Sequence, residues 1–157
     1  MKIQKLFLMF LLTAFSRLAF AQDVPADVFK AIKSDDAATL AKLVTKDNIN
    51  NCYLEGSWSY TLLSITIRSS AKKCFDLLIE KGADVNHACE GYVPPLMHAA
   101  KYGSLDMVKT LVAKGADVSY TYHGDYSFAD GKNPITYAED NKQPAIAEYL
   151  RSVKPKQ

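Results

Sequence analysis

The sequence predicts an all-α solenoid of about four stacked helix-turn-helix units, with hairpin fingers between successive units. The stretch LIEKGADVN, which begins at Leu78, recurs as LVAKGADVS, which begins at Leu111. Each copy contains a glycine, and apolar residues recur at helical spacing before it. A fixed period of this length is typical of stacked repeats, in which no unit buries its apolar face alone.

Residues 1–21 carry the features of an export signal. A start with two lysines is followed by residues 6–15, which are almost entirely apolar. Ala19 and Ala21 occupy the two positions that a signal peptidase reads, which predicts cleavage before Gln22. The apolar run is too short to span a membrane. We therefore expect a periplasmic or secreted protein that has no membrane attachment after the signal is removed.

The apparent basicity of the chain comes from this segment. The whole chain has 19 Lys and Arg against 17 Asp and Glu, a formal net charge of +2. Residues 1–21 contain three basic residues and no acidic one, so removing them leaves 16 against 17, a net charge of −1. This balance gives no reason to expect nucleic acid or an anionic membrane as a partner.

The remaining chain, residues 22–157, is predicted to be a single repeat domain. Its units fall at approximately 25–58, 59–91, 92–130 and 131–157. The first and last units are degenerate, and the chain ends in a polar, basic stretch. Atypical terminal units of this kind keep an open stack soluble.

The third unit shows the helix pair most clearly. Pro95 suits the first turn of a helix, because its missing N–H needs no partner there. Gly103 is expected to end this helix in a left-handed conformation, and Ser104 to cap the next helix. Gly115 then closes the second helix. The apolar stripe of that helix consists of Met107, Val108, Leu111 and Val112.

The upstream halves of the units also repeat. TLLSITI, beginning at Thr61, corresponds to PPLMHAA, beginning at Pro94, with the same period as the glycine stretches. NPITYA, beginning at Asn133, is a third version that comes later than the period requires. This pattern resembles the ankyrin repeat, whose signature is T-P-L-H-x-A near the start and G-A-D-V-N near the end. The resemblance implies an ankyrin-type fold and a protein partner. The signature His is replaced in this chain by Ser64, Met97 and Thr136.

The chain has three cysteines. Cys74 lies one period before Met107, on the apolar stripe of a second helix, and is predicted to be a buried free thiol. Cys52 and Cys89 lie at similar places in two successive fingers. Because neighbouring units stack side by side, we put forward a disulfide between these two residues, with two free thiols as the alternative.

The sequence contains no motif for phosphate binding, nucleophilic hydrolysis, zinc-dependent hydrolysis or calcium binding. The three histidines have no evident carboxylate or nucleophile partner, and His98 is expected to be packed inside the fold. His87 and Cys89 are too few for a zinc site. We therefore predict a protein that is not an enzyme and uses neither a cofactor nor a metal.

The fingers are rich in aromatic residues, and the third finger exceeds the period by six residues. Insertions in repeat proteins map to one face, often the binding face, and Tyr and Trp dominate interface energies. The alternative is that about half of the tyrosines pack finger on finger. The aromatic residues expected to contact a partner are Trp58 and Tyr60 in the first finger, Tyr92 in the second finger, and Tyr120, Tyr122, Tyr126 and Phe128 in the third finger.

The resemblance also implies partner contacts just after the Ala-Ala step of each first helix. Carried over to this chain, these positions include Arg68, Lys101 and Tyr102. Together with the aromatic residues of the first two fingers, they would form a cationic–aromatic strip suited to an acidic or polar protein segment.

These features predict a monomeric, exported, non-catalytic module that binds another protein through a concave surface. The first alternative is an inhibitor or immunity protein for a secreted toxin or enzyme. The second alternative is a protective factor for a periplasmic redox enzyme, or a catalytic thiol protein.

Overall fold

The fold is that of a computed structural model, which describes residues 22–124 and 127–153. The predicted export signal, Tyr126 and the basic tail at 154–157 lie outside the described residues. The helices are α1 (Ala26–Lys33), α2 (Ala37–Leu43), α3 (Leu62–Arg68), α4 (Lys72–Glu80), α5 (Pro95–Tyr102), α6 (Leu105–Ala113), α7 (Pro134–Asp140) and α8 (Pro144–Ser152). The strands are β1 (Gln22–Asp23), β2 (Cys52–Glu55) and β3 (Trp58–Thr61).

The helices form four consecutive pairs, each joined by only two or three residues. Such short connections return the second helix along the first. The first helices stack in series, α3 against α5 and α5 against α7, while α2 packs against α4 and α6 against α8. The predicted repeat fold of stacked helix pairs is therefore confirmed. None of the helices in the described ranges has the length and apolar character needed to cross a membrane.

The prediction of an all-α fold is too narrow, because the first finger contains a sheet with the strand order β1-β2-β3. Strands β2 and β3 are antiparallel, and β1 adds to β2 in parallel. Tyr53 lies directly opposite Tyr60, and both residues are buried. Paired aromatic residues favour strands, and Gly56 with φ of 66° provides the turn between them.

The core runs continuously through the four helix pairs. Leu96, Ala99 and Ala100, predicted to share one face of α5, are each at most 1% exposed. Burying each large aliphatic side chain stabilises the fold by about 1.5–3 kcal/mol. The side chains that fill the stack include Ile32, Leu40, Leu63, Ile65, Phe75, Leu78, Met97, Leu111, Ile146 and Leu150.

The turn at Gly103 differs from the prediction of a left-handed glycine. Its φ is −79°, whereas the corresponding turns contain Asp35, Ser70 and Lys142 with φ between 50° and 58°. A Cβ at Gly103 would lie 2.8 Å from the Cα and carbonyl oxygen of Ala99, so the close approach of the backbone requires glycine here. Gly115, with φ of 96°, does adopt the left-handed conformation expected of a helix-closing glycine.

Side chains from one unit hydrogen-bond the backbone of the next. The Asp35 carboxylate accepts from the backbone N–H groups of Lys73 and Cys74 at 3.1 and 2.9 Å. Asp84 lies in the turn after α4, in the second unit. Its backbone N–H donates to Asn50 Oδ1 of the first unit at 2.9 Å. Asn86 Oδ1 accepts in the same way from the following unit at 2.8 Å. These bonds fix the register between units, and therefore the positions of the fingers.

Candidate functional site

A cavity of about 300 Å³ opens on the finger side of the stack. We call it the finger cavity. Its walls come from the first helices α3, α5 and α7 and from the fingers that precede them. Six of its residues belong to the predicted partner-contact set, namely Trp58, Tyr60, Arg68, Lys101, Tyr102 and Phe128. Three others were not predicted to contact a partner, namely Val93, His98 and Tyr137.

The rim of the finger cavity is apolar and exposed. Trp58, Tyr102 and Phe128 are 45%, 43% and 52% exposed. They are the large hydrophobic side chains exposed in the part of the chain that the structure describes, and all three line this cavity. A concentration of exposed apolar surface in one place marks an interaction site more often than scattered exposed residues do.

Arg68, at the last position of α3, is held in place by two neighbours. Its Nη1 donates a hydrogen bond to the Tyr60 hydroxyl at 2.8 Å, and its guanidinium carbon lies 4.0 Å from the Tyr60 ring centroid. Its Nη2 forms an ion pair with Glu55 Oε2 at 3.5 Å. Arg68 Nε and Glu55 Oε2 are buried and have no hydrogen-bond partner among the described residues. The guanidinium is therefore fixed against the cavity wall, with its charge compensated by Glu55.

Lys101 occupies the position of the next unit that is equivalent to Arg68. Its Nζ lies 4.7 Å from the ring centroid of Tyr102 and 5.8 Å from that of Phe128. Within residues 22–124 and 127–153, no carboxylate lies within ion-pair distance of this ammonium group. The finger cavity thus contains a second cation, which lies over the faces of aromatic rings.

His98 lies in α5 and is 5% exposed, which confirms the prediction of a packed histidine. Its ring meets the Tyr60 ring edge-on at a centroid distance of 5.3 Å. Burial lowers the pKa of His98 to about 3, and the charges of Arg68 and Lys101 act in the same direction. The imidazole is therefore neutral at physiological pH, and its buried Nε2 has no hydrogen-bond partner in the described part of the chain.

Tyr137 lies in α7 and is 4% exposed. Burial raises the pKa of its phenol to about 12, so the hydroxyl keeps its proton. Burial raises the pKa of Tyr60 as well. The polar groups of the finger cavity therefore include two cations, the neutral phenols of Tyr60 and Tyr137 and the neutral imidazole of His98, which are groups suited to binding a ligand.

Three other predicted contact residues, Tyr92, Tyr120 and Tyr122, do not line the finger cavity. Tyr92 is partly buried behind Tyr60, with a centroid distance of 5.9 Å, and its hydroxyl donates to the Ser57 carbonyl at 3.3 Å. Tyr120 is partly buried against the core. Tyr122 is 1% exposed and donates to the Gly91 carbonyl at 2.6 Å. Its burial corrects the expectation that Tyr122 contacts a partner.

A disulfide joins Cys52 and Cys89, as hypothesised from their positions in the sequence, with a Cα–Cα distance of 5.7 Å. It ties β2 of the first finger to the second finger, which carries Val93 of the cavity wall. Cys74 is a fully buried free thiol. Burial, and then the nearby Asp35 carboxylate, raise the pKa of Cys74 to about 12.

Metal binding finds no support within residues 22–124 and 127–153, where no cluster of three or more His, Cys, Asp or Glu side chains is placed to hold an ion. His87 Nε2 does lie 3.8 Å from Cys52 Sγ. That sulfur already belongs to the disulfide and is not a thiolate ligand.

Similarity to known proteins covers most of the chain. A family model described as ankyrin repeats (3 copies) matches residues 28–122 and 94–156. "Ankyrin repeat, SAM and basic leucine zipper domain-containing protein 1" of Dasypus novemcinctus is 44% identical over 45 residues. That match covers 29% of this chain and 10% of the relative, so it spans about a tenth of the relative's length.

Proposed function

The chain belongs to the ankyrin-repeat family, and from this premise we propose that it is a non-catalytic module that binds a protein partner at the finger cavity. Ankyrin repeats are generally protein-interaction modules. The observation that carries the proposal is the position of Trp58, Tyr102 and Phe128, the exposed large hydrophobic residues of the described chain, around one cavity. Burying such aromatic side chains against a partner supplies most of the energy of a typical interface.

The walls of the finger cavity support a rigid mode of binding. The Cys52–Cys89 disulfide, the β2–β3 pairing and the fixed Arg68 hold the lining residues before any partner arrives. Binding to a surface ordered in advance costs less conformational entropy than binding to mobile loops. This arrangement favours recognition of an exposed segment of the partner.

We place this function in the periplasm or outside the cell. The composition of residues 1–21 supports export, and disulfides persist mainly in oxidising compartments. An inhibitor or immunity protein would be a special case of the same binder, recognised by loss of its target's activity. A catalytic thiol is not favoured, because Cys74 is buried and the pKa of its thiol is raised to about 12.

A comparative capture experiment tests the proposal. The chain, purified from an exporting host, would be immobilised beside a triple variant with Trp58→Ala, Tyr102→Ala and Phe128→Ala, and beside a control with Lys73→Ala and Glu148→Ala. Both control residues are exposed and lie on second helices, away from the cavity. Envelope proteins of the source organism retained by the parent and the control but lost by the triple variant would support the proposal. Identical retention on all three would contradict it.

A further inference from the structure

Resting on the proposed function, we infer that the finger cavity anchors one acidic side chain, an Asp or Glu in an exposed peptide segment of the partner. Its carboxylate pairs with Lys101 and accepts a hydrogen bond from His98. An apolar neighbour in the same segment packs on the rim formed by Trp58, Tyr102 and Phe128. The charge of the site, the buried and unpaired Nε2 of His98 and the size of the cavity support this ligand.

Among the residues that the structure describes, the charge of the site is unbalanced by one positive unit. Arg68 is compensated by Glu55, whereas Lys101 has no carboxylate within ion-pair distance among the described residues. The acidic residues of the neighbouring helix α7 have other partners, since Glu139 pairs with Arg151 and Asp140 with Lys132. A ligand with a single negative charge therefore neutralises the cavity without disturbing an existing pair.

His98 provides the second observation. A neutral imidazole has one N–H donor and one acceptor nitrogen. The Nε2 atom of His98 is buried and finds no partner in the described ranges, although the residue lines the cavity. An unpaired polar atom in a buried position lowers stability until a ligand satisfies it. A carboxylate offers acceptor lone pairs to an Nε2–H donor and to the ammonium of Lys101 at the same time.

The size of the finger cavity limits its occupant. About 300 Å³ is the lower end of the range for small-ligand sites, so it suits a side chain better than a folded element. The rim residues come from the first finger, α5 and the third finger, and they extend the binding surface beyond the cavity. An extended segment with one acidic side chain and an adjacent apolar one fits both parts of this surface.

Phage display provides the first arm of the test. A random heptapeptide library would be displayed at the N-terminus of the coat protein, so that the peptides have no free C-terminal carboxylate. It would be selected against the chain purified from an exporting host. We expect enrichment of Asp or Glu at one position beside an apolar residue. Parallel selection against the rim triple variant (Trp58→Ala, Tyr102→Ala and Phe128→Ala) should lose these sequences.

A double-mutant cycle provides the second arm. The best synthetic peptide, with both termini blocked, would be compared with its matched amide, Glu→Gln or Asp→Asn. On the parent chain the amide should bind roughly tenfold more weakly, the loss expected for a charge-assisted hydrogen bond. On Lys101→Met most of this difference should be lost, leaving only the part that the hydrogen bond from His98 contributes, while Lys101→Arg should retain most of the difference. Lys73→Met is the matched control and should behave like the parent.

The outcomes separate this inference from the proposed function. Selected peptides that depend on the rim but carry no acidic residue, or an acid-to-amide difference that is undiminished on Lys101→Met, would overturn the inference alone. Recovery of no rim-dependent peptide would overturn both. Circular dichroism of each variant shows that a lost signal does not come from unfolding. Enrichment of an acid whose advantage over the amide is largely lost on Lys101→Met would establish the site.

Discussion

The guanidinium of Arg68 stacks on the ring of Tyr60 at 4.0 Å while its Nη1 donates a hydrogen bond to the hydroxyl of the same residue. The contact joins the last turn of α3 to strand β3 of the finger that precedes it. The same guanidinium forms an ion pair with Glu55 in β2. One side chain therefore fixes the first finger against the helix stack, and with it one wall of the finger cavity.

Arg68→Met is expected to lower the free energy of unfolding by about 1–2 kcal/mol, because it leaves the partly buried Glu55 carboxylate without its cation. Urea denaturation measures the loss. Adding Glu55→Gln to Arg68→Met removes the uncompensated charge and should recover part of the stability. Equal stability of the parent and Arg68→Met would show that this pair does not hold the finger.

The Cys52–Cys89 disulfide should stabilise the fold, because it closes a loop with a sequence separation of 37 residues. The chain-entropy model gives about 4 kcal/mol for a loop of this length. Cys52→Ser with Cys89→Ser should therefore unfold at a markedly lower urea concentration than the parent. In a reducing agent, the urea midpoint of the parent should move towards that of the double variant, and the midpoint of the double variant should not change. An unchanged midpoint in the double variant would contradict the prediction.

Cys74 should resist alkylation in the native state. Its thiol is fully buried, and burial raises its pKa to about 12, so very little thiolate exists in mildly alkaline buffer. Iodoacetamide followed by intact-mass measurement should label no cysteine in the native protein, one in denaturant and three in denaturant with reductant. Rapid labelling of the native protein at Cys74 would contradict the burial and would revive the thiol alternative.

His98 should make the fold sensitive to acid. Its folded pKa of about 3 lies below the ordinary value of 6.5, so the unfolded chain binds one more proton between these two values. Its contribution to stability is complete at pH 7 and decreases as the pH falls below 6.5, by about 2 kcal/mol at pH 5. His98→Gln serves as the reference, because it removes the group that binds this proton and keeps the other titrating groups. Equal acid sensitivity of the two proteins in urea denaturation would rule out His98 as the source.

The repeat units could be predicted from the sequence because the residues that begin each helix lie within the same unit as the helix. Ser104 caps its helix by accepting from the N–H of Met107, and Pro95 occupies the first turn of α5, both as predicted. Gly103 could not be interpreted correctly, because the constraint on it is a backbone contact with Ala99 and not its own φ. The addition of β1 to the hairpin of the first finger was missed because β1 and β2 are far apart in the chain and pair over only two residues.

The finger cavity could be predicted only in part. Arg68 and Lys101 were found because their positions carry over from the family pattern, and the aromatic rim residues Trp58, Tyr102 and Phe128 are indeed exposed. The aromatic content of the third finger did not indicate that Phe128 is exposed whereas Tyr122 is buried. The other lining residues, among them His98 and Tyr137, depend on neighbours contributed by other units, and the spacing within a single unit does not contain that information.

The central claim is that the finger cavity is the surface that holds the partner, and site-specific photocrosslinking in the exporting cell tests it most directly. Benzoylphenylalanine would replace Tyr102 or Phe128 at the rim, and Lys73 or Glu148 on the second helices as controls. We predict that the two rim positions give one crosslinked complex that is larger than the chain alone, and that the control positions give none. Crosslinking from Lys73 or Glu148, with none from Tyr102 and Phe128, would contradict the account.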